Sequence, residues 1–116
     1  MKVLIADDST LLRRNLRRLL STIPSVSELC ESDTVASTIE AIENQSPDTV
    51  ILDLLLPDGT GFDVLTYLRD QRRSIRVIVL TTFPGSSERH RALSLGAEQF
   101  LDKSKEYERL FDLLAE

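Results

Sequence analysis

The chain has 116 residues, a length that suits one compact domain over residues 1–116 and leaves little room for a second. Hydrophobic residues make up 41% and charged residues 28%; the longest apolar runs, such as Val77-Ile78-Val79-Leu80, have strand length and are too short to span a membrane. A formal net charge of −5 disfavours general nucleic-acid binding, and the single cysteine, Cys30, excludes an internal disulfide or a cysteine-based metal cage.

Short apolar runs alternate with amphipathic stretches five times along the chain. The first run, Lys2–Asp7, begins almost at the N-terminus with no secretory leader visible, so a cytoplasmic location and no membrane association are expected. A helix over Thr10–Thr22 follows, capped by Ser9, with Leu12, Leu16, Leu19, Leu20 and Ile23 on its apolar side. Its opposite side carries Arg13, Arg14, Arg17 and Arg18, which read as a solvated face or as a dock for an acidic partner. The second strand, Ser27–Asp33, holds Cys30, expected as a buried and inert thiol. The second helix, Val35–Asn44, carries the stripe Val35, Ile39 and Ile42.

The third strand, Thr49–Asp53, leads to a helix over Gly61–Asp70 with Val64, Leu65 and Leu68 on one face. The fourth strand, Ile75–Thr81, precedes a helix over Ser86–Leu95, with Ser87 as its expected cap and Gly96 as its left-handed terminator. That helix is the poorest in large apolar residues, and its His90 reads as a surface residue. The fifth strand, Glu98–Leu101, and a helix over Lys105–Ala115 complete the pattern, and all four prolines fall at element boundaries. Strict strand–helix alternation implies an α/β fold: a parallel sheet with right-handed crossovers and helices on both faces.

In such a sheet all carboxyl ends share one edge, and ligands bind there beside the switch point in strand order. Asp7 and Asp8 follow the first strand, Asp53 the third and Thr81 the fourth, while Lys103 lies two residues beyond the fifth. Crowded carboxylates repel one another, and a hard divalent cation relieves the repulsion. Mg²⁺ suits the set, because it binds through one or two carboxylates and leaves positions for phosphate oxygens. Asp53, held at the end of Val50-Ile51-Leu52, can attack phosphorus to form an acyl phosphate. Metal, Lys103 and Thr81 would then each cover one equatorial oxygen.

Four separated motifs resemble the response-regulator receiver domains of two-component signalling, and specifically a single receiver of the chemotaxis-regulator kind. They are Val3-Leu4-Ile5-Ala6-Asp7-Asp8, the run Ile51-Leu52-Asp53-Leu54-Leu55-Leu56-Pro57-Asp58-Gly59-Thr60-Gly61, Val79-Leu80-Thr81-Thr82, and Leu95-Gly96-Ala97-Glu98-Gln99-Phe100-Leu101-Asp102-Lys103. The resemblance implies a flavodoxin-like doubly wound sheet of five strands in the order 2-1-3-4-5, with five helices. It also implies Asp53 as phosphoacceptor and Asp8 as main metal ligand, with Asp7 supporting through water and the Leu55 carbonyl completing the protein's share of the shell. Thr81 and Lys103 would hold the phosphoryl group, and Phe100 would stand at the switch position that follows Thr81 inward.

The implied partners are a histidine kinase or histidine phosphotransfer protein as donor, and a downstream protein target or fused output module. The domain itself would make no direct nucleic-acid contact, and a phosphorylation-dependent dimer is allowed. Three departures from relatives stand out. Ser104 replaces a frequent Pro after the Lys, Phe100 lacks a phenolic hydroxyl, and Leu55 and Phe83 give the site an apolar rim. An aspartyl-phosphate phosphatase would usually place a second Asp at Leu55, so the chain is expected not to be an enzyme. A pure interaction module that no longer accepts phosphate is the remaining alternative.

Overall fold

The computed structural model describes residues 1–115; Glu116, the last residue of the expected 1–116 domain, lies outside the described residues. Five parallel strands form the main sheet: β1 (Lys2–Ala6), β2 (Glu28–Ser32), β3 (Thr49–Leu52), β6 (Arg76–Thr81) and β7 (Gln99–Asp102). Their spatial order is β2-β1-β3-β6-β7, which is 2-1-3-4-5 when only the strands of this sheet are counted. The helices are α1 (Thr10–Leu20), α2 (Val35–Gln45), α3 (Gly61–Asp70), α4 (Ser86–Ser94) and α5 (Arg109–Ala115). The expected flavodoxin-like architecture is therefore present.

Side-chain alternation along the strands divides the core in two. Val3, Ile5, Ile51, Ile78, Leu80 and Leu101 face α1 and α5, meeting Leu16, Leu20, Leu110 and Leu114. On the other face, Leu4, Ala6, Val50, Leu52, Val77 and Val79 meet Ile42, Val64, Leu65, Leu68 and Ala92 of α2, α3 and α4. Strands covered on both faces must be apolar throughout, which explains the near-continuous hydrophobic runs. Because β1 lies between β2 and β3, the chain leaves it toward opposite sides of the sheet, and a crevice opens at the carboxyl ends of β1 and β3.

Local chemistry accounts for the departures from expectation. Two short strands, β4 (Leu55–Leu56) and β5 (Gly59–Thr60), form an antiparallel hairpin around Pro57 and Asp58 that periodicity did not register. Ser9 does cap α1, accepting the Leu12 N–H at 3.1 Å. Ser87 does not cap α4: it lies inside the helix, whose cap residue is Gly85. Gly96 follows α4 with φ +107°, the left-handed conformation expected of it. Helix α5 begins at Arg109 instead of Lys105, because side chains capture the backbone just before it. Ser104 donates to Asp102, and Glu106 accepts the Asp102 N–H at 3.2 Å, so residues 104–108 form turns. Cys30 is half-buried instead of fully buried, and burial raises its thiol pKa, consistent with low reactivity. Among the described residues no helix is long and apolar enough to cross a membrane.

Leu4 is fully buried in β1, an interior strand of the sheet, and touches the α2–α4 side of the core. Leu4→Ala is expected to cost about 2–5 kcal/mol of stability, read as a lowered urea midpoint. Leu11→Ser, at a residue 65% exposed, should change the stability read from the same urea titration by less than about 0.5 kcal/mol.

Candidate functional site

The crevice gathers the acidic residues from two strands. Asp7 and Asp8 extend beyond β1, and Asp53 follows β3, where its N–H still donates to the Ala6 carbonyl at 3.0 Å. Carboxylate oxygens of Asp7, Asp8 and Asp53 all lie within 4.8 Å of one another. Asp7 and Asp53 are buried while Asp8 is exposed, so the cluster has one open side.

A single cation lies among them. The Lys103 ammonium stands 2.5 Å from Asp7 Oδ2 and 3.0 Å from Asp53 Oδ2. Burial alone would pull the Lys103 pKa down, but hydrogen bonds and charge from Asp7 and Asp53 together outweigh it, and the pKa is raised. Burial dominates at Asp53 and raises its pKa, with the nearby charge of Asp7 acting in the same direction. Lys103 and the Leu55 N–H pull the other way without cancelling the shift.

The backbone around Lys103 is bracketed. Its N–H donates to the Thr81 carbonyl at 2.9 Å, and Asp102 Oδ1 accepts from both the N–H and the hydroxyl of Ser104, at 2.9 and 2.7 Å. Ser104 thus supplies a side-chain tether where relatives often carry Pro, and no cis peptide occurs among the described residues. Arg13 braces the opposite wall: its Nη1 donates to the Asp7 carbonyl at 2.5 Å and its Nε pairs with Glu31 at 3.1 Å. Arg17 also pairs with Glu31, at 2.8 Å, so half of the four-arginine face is tied to β2 and is not freely solvated.

Thr81 is fully buried at the end of β6, and its hydroxyl accepts the Phe83 N–H at 3.1 Å; no hydrogen bond joins it to Asp53 among the described residues. Phe100 is 1% exposed and packs in the α2–α4 side of the core, with the Arg89 guanidinium 5.3 Å from its ring centroid. Arg89 also donates to the Phe100 carbonyl at 3.1 Å. The Leu55 side chain is 50% exposed and that of Phe83 56%, so both stand out as an apolar rim. The Leu55 N–H donates to Asp53 Oδ1 at 3.5 Å. His90 is exposed.

Sequence reasoning missed Arg13, Asp102, Ser104 and Asp58 as parts of this surround. Arg13 was visible only as one member of a basic face. Asp58 carried the turn signal Pro57-Asp58-Gly59, yet it caps a helix more than twenty residues away, accepting from Val35 N and Ala36 N at 2.6 and 3.0 Å. Gly61 has a steric role: a Cβ there would stand 2.6 Å from the Asp53 carbonyl oxygen, so only glycine lets α3 start this close to the site.

Residues 3–115 match the family of the response regulator receiver domain. The nitrate/nitrite response regulator protein NarL of Escherichia coli strain K12 is 31% identical over 112 residues, covering 97% of this chain and 52% of the relative. Response regulator MprA of Mycobacterium sp. strain KMS is 34% identical over 110 residues, covering 95% of this chain and 47% of the relative. The chain therefore spans about half the length of these curated relatives. The crystal structure of a DNA-binding response regulator of the LuxR family from Staphylococcus aureus superposes with a TM-score of 0.89 at 26% identity, covering 99% of this chain and 98% of that one.

The family match corrects the expectation that the chain is not an enzyme. Response-regulator receiver domains are phosphoryl-accepting signalling domains, and that finding overturns the plain exclusion of an enzyme drawn from Leu55.

The raised Asp53 pKa has a consequence for stability. A carboxyl whose folded-state pKa is raised favours the fold at low pH, and that contribution is lost as pH rises through the folded value. Asp53→Asn removes this ionisation, so without divalent ions its melting temperature near pH 7 is expected to exceed that of the wild type. The difference should shrink in acid, where Asp53 itself is protonated. Thermal melts across pH 3–8, roughly the range bracketing carboxylate titration, check this; an Asn variant less stable at pH 7 would contradict it.

Proposed function

Because the chain belongs to the response-regulator receiver family, we propose that residues 1–116 act as one phospho-accepting receiver unit, with Asp53 as the acceptor. The observation that supports this most is the clustering of Asp7, Asp8 and Asp53 within 4.8 Å around a crevice that also holds the Lys103 ammonium. A Asp53 carboxylate oxygen attacks the phosphorus of a phosphohistidine. An O–P bond forms as the N–P bond breaks, and the imidazole leaves with the electron pair and takes up a proton.

The donor set is hard oxygen throughout and carries an excess of negative charge, which fits Mg²⁺. Asp8 and Asp53 would hold the ion directly, with Asp7 supporting and the Leu55 carbonyl contributing. The bound ion would supply charge neutralisation for the phosphoryl oxygens. Lys103 is held by its bracketed backbone at the same crevice and stabilises one phosphoryl oxygen. Its release from Asp53 Oδ2 frees the attacking oxygen. Thr81 exchanges its contact with the Phe83 N–H for the phosphoryl group, and Phe100 follows within the space around α4. Phosphorylation works here as a shift between two arrangements of one chain, and can bias them only as far as its differential contacts allow.

The donor is a histidine kinase or histidine phosphotransfer protein, and the output goes to a protein target or a fused output module. A cytoplasmic location accompanies this reading. The rim of Leu55 and Phe83 sets water access to the acyl phosphate, and with it the lifetime of the signal.

The test is intact mass after incubation with acetyl phosphate and Mg²⁺. A phosphoryl-sized increase is expected that requires the metal and is lost in Asp53→Asn. In Lys103→Met the rate of uptake should fall by roughly a hundredfold, the scale for removing one charged stabilising donor. No adduct in folded wild-type protein, with acetyl phosphate and with a phosphohistidine donor alike, would overturn the reading in favour of a phosphorylation-independent interaction module.

A further inference from the structure

The segment from Asp53 to Gly61 is a short loop closed at two places. At its base the Gly61 N–H donates to the Leu54 carbonyl at 2.8 Å. Near its tip Leu55 and Leu56 pair with Thr60 and Gly59 across the Pro57–Asp58 turn. Two strand residues on each side are too few to hold a hairpin rigid alone. The tip is tied to a different element: Asp58 accepts the Val35 N–H at 2.6 Å through Oδ1 and the Ala36 N–H at 3.0 Å through Oδ2.

These are unsatisfied amides of the first turn of α2, and a carboxylate is their best acceptor. The helix's own cap, Thr34, takes the Ser37 N–H at 2.9 Å, so Asp58 satisfies donors that Thr34 leaves open. Proline immediately before Asp58 restricts the backbone that presents this carboxylate. Leu55, the hairpin residue next to the base, has an N–H that reaches Asp53 Oδ1 at 3.5 Å, the long end of hydrogen bonding. A contact at that distance is lost on a small displacement of the hairpin.

We propose that Asp58 is a positioning residue for Asp53: by clamping the hairpin tip to the start of α2 it fixes Leu55, and through the Leu55 amide it orients the acceptor carboxylate. This deepens the reading of Asp53 as phosphoacceptor and rests on it for its consequence in phosphoryl uptake. The mechanical coupling from Asp58 to Leu55 concerns this chain alone. Helix α2 therefore acts as the fixed support of a loop that it does not touch at the reacting atoms.

The experiment compares wild type, Asp58→Ala and Asp58→Asn, the last keeping one acceptor oxygen. Amide hydrogen exchange without metal is measured at Val35, Ala36 and Leu55, followed by Mg²⁺ titration by NMR and phosphoryl uptake from acetyl phosphate at limiting and saturating Mg²⁺. In Asp58→Ala, exchange should quicken about fivefold or more at all three amides, the scale of a lost helix cap. Mg²⁺ should bind about tenfold more weakly, as when a ligand's outer support is removed. Uptake should recover in part at saturating Mg²⁺, and Asp58→Asn should fall between the two.

Faster exchange confined to Val35 and Ala36, with Leu55 exchange and Mg²⁺ affinity as in wild type, would overturn the proposal and leave Asp58 as a helix cap alone. Should Asp58→Ala fail to fold, the same comparison in Asp58→Asn decides. A wild-type chain that takes up no phosphoryl group would defeat the functional reading, while Leu55 exchange would still decide the coupling.

Discussion

One ammonium among three carboxylates is the interaction on which the site depends. Lys103 spans Asp7 and Asp53, yet Asp8 remains beside them, so the cluster keeps more negative charge than it can neutralise from within. Placing these groups in a buried crevice is costly, and removing a partner from a buried charge costs more than the pair ever contributes. The surrounding structure is arranged to hold them regardless. Arg13 fixes the Asp7 backbone, Ser104 and Asp102 bracket the lysine, and Gly61 allows the start of α3 to press against Asp53. Residual charge of this sign and density makes the crevice receptive to a divalent cation and, with it, to an anionic group.

The parallel sheet supplies the reason those residues meet. A carboxyl-end crevice arises where β1 sends its two neighbours to opposite sides, and the site residues follow β1, β3, β6 and β7 in that same layer. The two-sided core makes the crevice floor stiff. Leu52 and Ala6, just before the acidic residues, are fully buried on the α2–α4 side, and Ile5 and Ile51 are buried on the other. A carboxylate projecting from such a floor has little freedom, which suits a reaction that depends on alignment.

Much of this was legible because it follows from pattern. Apolar runs separated by helical stripes specified the sheet, and residues at the ends of those runs specified Asp7, Asp8, Asp53 and Lys103 as neighbours. What escaped was decided by single side chains acting across distance. Asp58 looks like a turn residue, and nothing local says that its oxygens reach the start of α2. Arg13 shares a face with Arg14, but only Arg13 lies where it reaches both Glu31 and the Asp7 carbonyl. Residues 105–108 have helix-compatible composition, yet Asp102, Ser104 and Glu106 draw that backbone into turns. Strand periodicity cannot detect a hairpin of two-residue strands, although Pro57-Asp58-Gly59 marked its turn. For Phe100, flanked by polar Gln99 and apolar Leu101, the local pattern does not decide burial, and the structure places the ring in the core.

Helix α4 buries only Ala92 completely, and Leu93 is 42% exposed. Its other ties are made by arginines at the surface: Arg89 with Phe100, and Arg91, whose guanidinium stands 4.1 Å from the Phe62 ring centroid. Most positions on this helix therefore carry little of the folding free energy, and substitutions there fall near the neutral range. The opposite holds for the buried strands of the sheet, where almost every large-to-small change is penalised. Selection can thus rewrite the exposed face of α4, one residue at a time, while the chemistry beneath it stays the same.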